Sequence, residues 1–134
     1  MTAGDILKEA LLVIEEFTVK ANEDIEKGEV VYNDGAGILA APTTAKGPYY
    51  VALEDHDYSE ETTHKVRCGV SGCFEVQKAA GTAIPKGRYA EISATAGEIT
   101  LFDYSAGVFT DIVAETAEDA ASGDTTAKVW LGKR

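Results

Sequence analysis

Alternation of apolar and polar residues, the period-two signal of a half-buried strand, opens two stretches that closely echo each other. Phe17-Thr18-Val19 leads through a polar link to Ile25-Glu26-Lys27-Gly28 and then into Val30-Val31-Tyr32. Phe74-Glu75-Val76 leads likewise to Ile84-Pro85-Lys86-Gly87 and into Tyr89-Ala90-Glu91-Ile92. Asp34-Gly35-Ala36-Gly37-Ile38 is answered by Ala96-Gly97-Glu98-Ile99, Val51-Ala52 by Val113-Ala114, and Thr62–Gly69 by Thr125–Gly132. The separation grows steadily, from 57 between Phe17 and Phe74 to 59 between Gly28 and Gly87. It reaches 61 between Ile38 and Ile99, 62 between Val51 and Val113, and 63 between Thr62 and Thr125. Small loop insertions in a duplicated unit produce such a drift, whereas chance matches scatter. Residues 17–69 and 74–132 therefore read as two copies of one β unit, too few for a solenoid or propeller. The pattern predicts an all-β fold with minor α content: a single-domain antiparallel β-barrel or sandwich built from two similar halves.

Within the first unit, strands are predicted at Phe17–Lys20, Val30–Tyr32, Ile38–Ala40, Tyr49–Leu53 and Lys65–Cys68. The second unit gives Phe74–Gln77, Arg88–Ile92, Ile99–Phe102, Ile112–Ala114 and Ala127–Leu131. Gly69-Val70-Ser71-Gly72 has the composition of a turn joining the units. Lys78–Ala83 and Ala117–Ala121 are candidates for single helical turns. Residues 1–16 have no counterpart in the second unit and stand apart from the β domain, 17–134. Ile6, Leu7, Ala10, Leu11 and Ile14 share one helical face, yet Leu12 and Ile14 also continue the alternation into Phe17 and Val19. Two readings stay open: an arm that docks on a partner, or an extra strand or helix packed on the chain's own barrel.

Charge narrows the partners. A net charge of −11 opposes binding to a phosphate backbone, where affinity comes from Lys and Arg displacing counterions. It opposes anionic membranes too, and no apolar run approaches the roughly 20 residues of a membrane helix. The opening residues lack the basic and apolar stretches of a secretory signal. Two cysteines make no disulfide scaffold, so synthesis in a reducing cytoplasm is expected.

Candidate chemistry is thin. Ser71 sits in Gly-Val-Ser-Gly-Cys, which lacks the last glycine of a nucleophile elbow. His56, His64, Cys68 and Cys73 could bind zinc only by converging, and their spacing matches no common site. Cys68 and Cys73 flank the predicted turn, close enough in sequence for a disulfide should the fold bring their Cα atoms together. Glu54, Asp55, Asp57, Glu60 and Glu61, with a fainter echo in Glu115, Glu118, Asp119 and Asp124, fit no calcium loop and read as solvated. The Lys-Gly turns are not phosphate loops. Tyr49 and Tyr50 have no basic groove beside them for stacking nucleobases. Trp130 alternates within a strand and suits the core as well as a ligand face. No catalytic, cofactor or metal residue is assigned, and a non-enzymatic binding or structural role is expected.

One family shares these patterns. Gly69-Val70 leading into Phe74-Glu75-Val76, Lys78-Ala79-Ala80-Gly81 with Ile84-x-Lys-Gly87, and Ala120-Ala121-Ser122-Gly123-Asp124-Thr125-Thr126-Ala127-Lys128-Val129 through Leu131 resemble tailed-phage capsid decoration, or cement, proteins. Val19 to Tyr32 fits the family's opening, and the likeness covers residues 17–132. It implies a virion protein on the capsid exterior, made in the host cytoplasm, whose partner is the major capsid protein. It also implies a homo-oligomer, the trimer being favoured, with no nucleic acid, membrane or cofactor. The family motif is structural and carries over no functional residues. Capsid binding is expected of the apolar positions Ile6, Leu7, Leu11, Leu12 and Ile14. The alternative is a non-catalytic β module for a carbohydrate or metal ion, using Tyr49, Tyr50, Trp130 and the acidic loops. A zinc hydrolase built on the His and Cys residues is a third option.

Overall fold

The computed structural model describes residues 12–132. Its spine is a 13-residue strand, β5 (Lys65–Gln77), that serves both halves of the chain. Before it lie β1 (Val13–Thr18), β2 (Val30–Asn33), β3 (Ile38–Ala40) and β4 (Tyr50–Ala52). After it lie β6 (Tyr89–Ile92), β7 (Ile99–Leu101), β8 (Ala114–Thr116) and β9 (Thr126–Leu131). All strand ladders are antiparallel, in the order β3-β2-β4-β5-β9-β8-β6-β7, with β1 also on β5. Lys65–Ser71 pairs with β1 and Gly72–Gln77 pairs with β9. Each half curls, and an isolated parallel bridge joins its ends: Val19 to Ile38 in the first half, Lys78 to Ile99 in the second. The fold is thus all-β, one antiparallel sheet curled as a half-barrel.

Alternation explains β5 and β9. Val66, Cys68, Phe74 and Val76 are buried between exposed Lys65, Arg67 and Glu75, and in β9 Ala127, Val129 and Leu131 alternate with exposed Thr126, Lys128 and Trp130. Gly69-Val70-Ser71-Gly72 does not turn the chain back; it lies inside β5. Glycine here serves close packing and a shifted register. A Cβ on Gly69 would fall 2.3 Å from the Phe74 ring, and Gly72 has φ +135°. The β1 register also shifts between Val13 and Ile14 at this point. Glycine in a strand marks such a bulge or close approach as readily as a turn.

The two predicted helical turns are absent. At 78–83 and 117–121 the backbone bonds run across to neighbouring segments: Lys78 N–H to Thr125 O, Gly81 N–H to Ser122 O, Ala117 N–H to Lys128 O, and Ile84 and Ala120 to each other. Among the described residues the helical segment is a 3-10 turn, Phe109–Asp111.

The halves repeat one pairing plan. Gly28 N–H reaches Ala52 O at 2.8 Å as Gly87 N–H reaches Thr116 O at 3.0 Å, and Lys20 N–H reaches Ile38 O as Ala79 N–H reaches Ile99 O. Ile25 bridges His56 as Ile84 bridges Ala120. Gly28 and Gly87, at φ +89° and +82°, hold the same left-handed turn position that glycine occupies without steric cost. By this pairing Val19, Ile25, Val31, Ile38, Ala52, Val66 and Cys68 correspond to Lys78, Ile84, Ala90, Ile99, Thr116, Ala127 and Val129. All fourteen are buried. The separation does not climb steadily: it is 59 at Ile25 and Ile84, 61 at Ile38 and Ile99, 64 at Ala52 and Thr116, and 61 again at Cys68 and Val129. The sequence matches of Phe17 with Phe74, Val51-Ala52 with Val113-Ala114, and Val66 with Val129 are each offset by two residues from the pairing. Strand side chains repeat every two residues, so such a slip leaves the inward and outward pattern unchanged.

The first seven of these residues form a core inside the first half. A larger core joins the halves: Val30, Ala41, Ala45, Tyr49 and Val51 pack with Phe74, Val76, Ile84, Ala90, Ile92, Val113 and Val129. Consecutive residues of β2 and β4 face opposite cores, so these strands are buried on both sides.

Candidate docking surface

Of the residues expected to bind a capsid, Ile6, Leu7 and Leu11 lie outside the described residues. Leu12 and Ile14 are exposed, at 60% and 44%, with Val13 beside them at 43%. Strand β1 pairs with β5 along one edge, and the bridge closing the other edge begins only at Val19. Residues 13–16 thus form the start of strand β1, paired with β5. Among the described residues β1 is an edge strand whose first residues are apolar and solvated, the feature that invites strand addition.

Beside it runs an apolar groove of about 770 Å³. Val70 lies between the β1 partners Gly69 and Ser71 and lines the groove with Tyr50, Ile112 and Leu131. Phe109, 82% exposed, and Val108, 53% exposed, project from the loop between β7 and β8. A second recess of about 260 Å³ shares Ile112, Val113 and Gly132 with the groove and extends to Tyr89 and Trp130. Lys46 Nζ meets Asp111 Oδ1 at 2.6 Å, which ties the 41–49 loop to the 3-10 turn. None of the groove's lining residues is acidic, although the chain carries 23 Asp and Glu. Sequence reasoning missed Val108 and Phe109. The available signal was an apolar pair inside an otherwise small and polar loop, Ser105-Ala106-Gly107 to Thr110-Asp111.

The other candidates separate. Tyr49 is buried and its hydroxyl donates to Ala45 O, while Tyr50 stacks on Phe17 at 4.5 Å. Both line the groove. Trp130 is 39% exposed and lies across the ladder from Cys73. Cys68 and Cys73 are both free thiols. Cys68 lies in the first core, where burial pushes its thiol up to about 12, and Cys73 is exposed, so the pair does not flank a turn. His56 and His64 do meet, at 3.0 Å, but without either sulfur. Among the described residues no cluster of three or more His, Cys, Asp or Glu could hold a metal ion. Part of the acidic run has a defined job: Asp55 Oδ1 accepts Lys27 N–H at 2.7 Å, and Asp119 Oδ1 accepts Lys86 N–H at 2.8 Å. Each carboxylate caps one of the two Lys-Gly turns. Taken together, these surfaces can bind by apolar contact and strand addition.

No family model matches the chain, and no curated protein matches it. Among solved structures it is similar to the head fiber gp8.5 N base of bacteriophage phi29, with a TM-score of 0.56 and 20% identity. The match covers 90% of this chain and 95% of the other, so the two share a fold over nearly their whole length.

Proposed function

We propose that this chain is a structural phage head protein that decorates the outside of the capsid and stabilises it. The observation that carries the reading is the apolar edge of β1, Leu12 to Ile14, exposed beside an acid-free groove. The fold shared with a phage head fiber base supports it. Docking needs no catalytic step: an unpaired strand edge supplies main-chain hydrogen bonds and the groove accepts apolar side chains. The major capsid protein is the partner, with Leu12 and Ile14, and the undescribed Ile6, Leu7 and Leu11, as contacts. The chain is made in the host cytoplasm, and a homotrimer is the favoured form, because many weak contacts gain by avidity.

Co-sedimentation with heads of the source virus tests this. The parent chain should pellet with assembled heads and stay with the supernatant alongside unassembled capsid protein. L12D/I14D should lose at least about tenfold in affinity, since it places two charges in an apolar contact. Failure of the parent to bind any head form overturns the reading. The recess bearing Tyr89 and Trp130 favours a second reading, a carbohydrate-binding module. A raised melting temperature with a sugar would support it.

A further inference from the structure

We propose that Glu61, His56 and His64 form an acid-operated latch on the loop between β4 and β5. The His56 residue is 2% exposed. Its Nδ1 lies 2.5 Å from Glu61 Oε2 and its Nε2 lies 3.0 Å from His64 Nδ1. Tyr58 stacks on His64 with ring centroids 3.7 Å apart.

Proton counting sets the behaviour of this chain of contacts. An ionised carboxylate only accepts, so His56 Nδ1 carries a proton and donates to Glu61. One proton must then lie between His56 Nε2 and His64 Nδ1. With both rings neutral, His64 Nδ1–H donates. With one extra proton one ring is the cation and donates across the contact to the other, neutral ring, so the contact survives. A second extra proton sets N–H against N–H across the contact, and two cations stand side by side. The hydrogen bond is lost and Coulomb repulsion replaces it.

The latch holds the seam of the first half. His64 O accepts Val19 N–H at 2.9 Å, next to the bridge that joins Val19 to Ile38. His56 exchanges backbone bonds with Ile25 at 2.9 and 2.8 Å. Other charged groups surround the rings. The β1–β2 segment brings Asp24, Glu26 and Lys27, and the loop itself brings Asp55 and Asp57, all lining one recess with His56. Asp24 accepts Tyr58 N–H, Asp55 accepts Lys27 N–H and Asp57 accepts from Ser59. Lys65 follows His64 at the start of β5 and lies 3.9 Å from Glu16. The second half keeps the same backbone bridge with Ala120 and Thr125 in place of the two histidines. It is a built-in control, with the seam but without the latch.

Amide hydrogen exchange by NMR, corrected for intrinsic rates and compared between about pH 7.5 and about pH 5, spans the range where imidazoles titrate. Acid should speed exchange at Val19, Ile25 and His56 by roughly tenfold or more, as local opening does. Their counterparts Lys78, Ile84 and Ala120 should keep their protection. His64→Thr, which installs the second half's residue, should abolish the acid response. His64→Gln carries the same expectation should the threonine variant fail to fold. Equal loss of protection in both halves overturns the proposal. So does unchanged exchange in the parent, or an undiminished acid response in the variants.

Discussion

A Cβ placed on Gly69 would lie 2.3 Å from the Phe74 ring. No side chain fits there unless the ring moves, and the ring is buried in the core that joins the halves. Gly69→Ala should therefore cost about 1–3 kcal/mol, as overpacking does. Combining it with Phe74→Leu should recover part of that loss, because contacting residues are coupled. Chemical denaturation of the four proteins measures both effects. At Glu29 the balance is electrostatic. Burial raises its carboxyl above the usual range, and Glu26, Glu98 and Asp55 raise it further. The folded chain thus holds this proton more tightly than the unfolded chain. The stabilisation that brings is complete below the unfolded value and is lost as pH rises through the folded one. Its Oε1 accepts Glu26 N–H at 2.7 Å, a bond that a glutamine carbonyl keeps. Glu29→Gln should melt higher than the parent at neutral pH, with the gap closing as pH falls towards 4. Melting curves across that range read the sign directly.

Most strands were legible at the scale of the element, although β8 runs Ala114–Thr116 rather than Ile112–Ala114; strand register was not. The alternation in Lys65–Cys68, Phe74–Gln77 and Ala127–Leu131 marks inward and outward positions correctly, and the two Ile-x-Lys-Gly turns recur in the structure as matched turns. The two-residue offset escaped notice because a period of two cannot sense it. The continuity of β5 was hidden as well, since Gly-Val-Ser-Gly has the composition of a turn and only the approach of Phe74 to Gly69 shows otherwise. At the candidate surface, the apolar exposure of Leu12 and Ile14 could be anticipated. The groove could not, because Val70, Tyr50, Ile112 and Leu131 come from four separate segments. Asp55 and Asp119 looked like solvated acids, yet each completes a Lys-Gly turn. Asp55→Ala and Asp119→Ala should each cost about 1 kcal/mol, the net worth of one such hydrogen bond. The two losses should add, since the turns lie in different halves. Asp→Asn at either site should retain most of the stability, because the amide oxygen still accepts. Denaturant midpoints that do not move with alanine would rule out the capping role.

In the whole molecule the two halves are separate in sequence but not in packing. Val31 and Ala52 fill the first half's own core, while their neighbours Val30 and Val51 fill the shared one. Neither half can bury all of its apolar residues alone. Gln77 N–H to Gly28 O, Val30 N–H to Gly97 O and Gly97 N–H to Ala41 O clip the halves together as well. A chain of two halves could unfold in two steps, one per half, but shared burial couples the halves into one transition. Trp130, in the second half, reports on one side through its fluorescence. The imidazole resonances of His56 and His64 report on the other. In denaturant at neutral pH the two probes should give coincident midpoints. A fragment of residues 12–69 should lack the far-ultraviolet signal of a folded sheet, because Val30, Val51 and Tyr49 would face water. Separate midpoints, or a folded fragment, would mean that each half is stable alone and that the joint core only docks them. If the proposed docking on a head holds, the single transition would favour it. Complete unfolding of either half then requires unfolding both, since the two halves share one core for as long as the chain is folded.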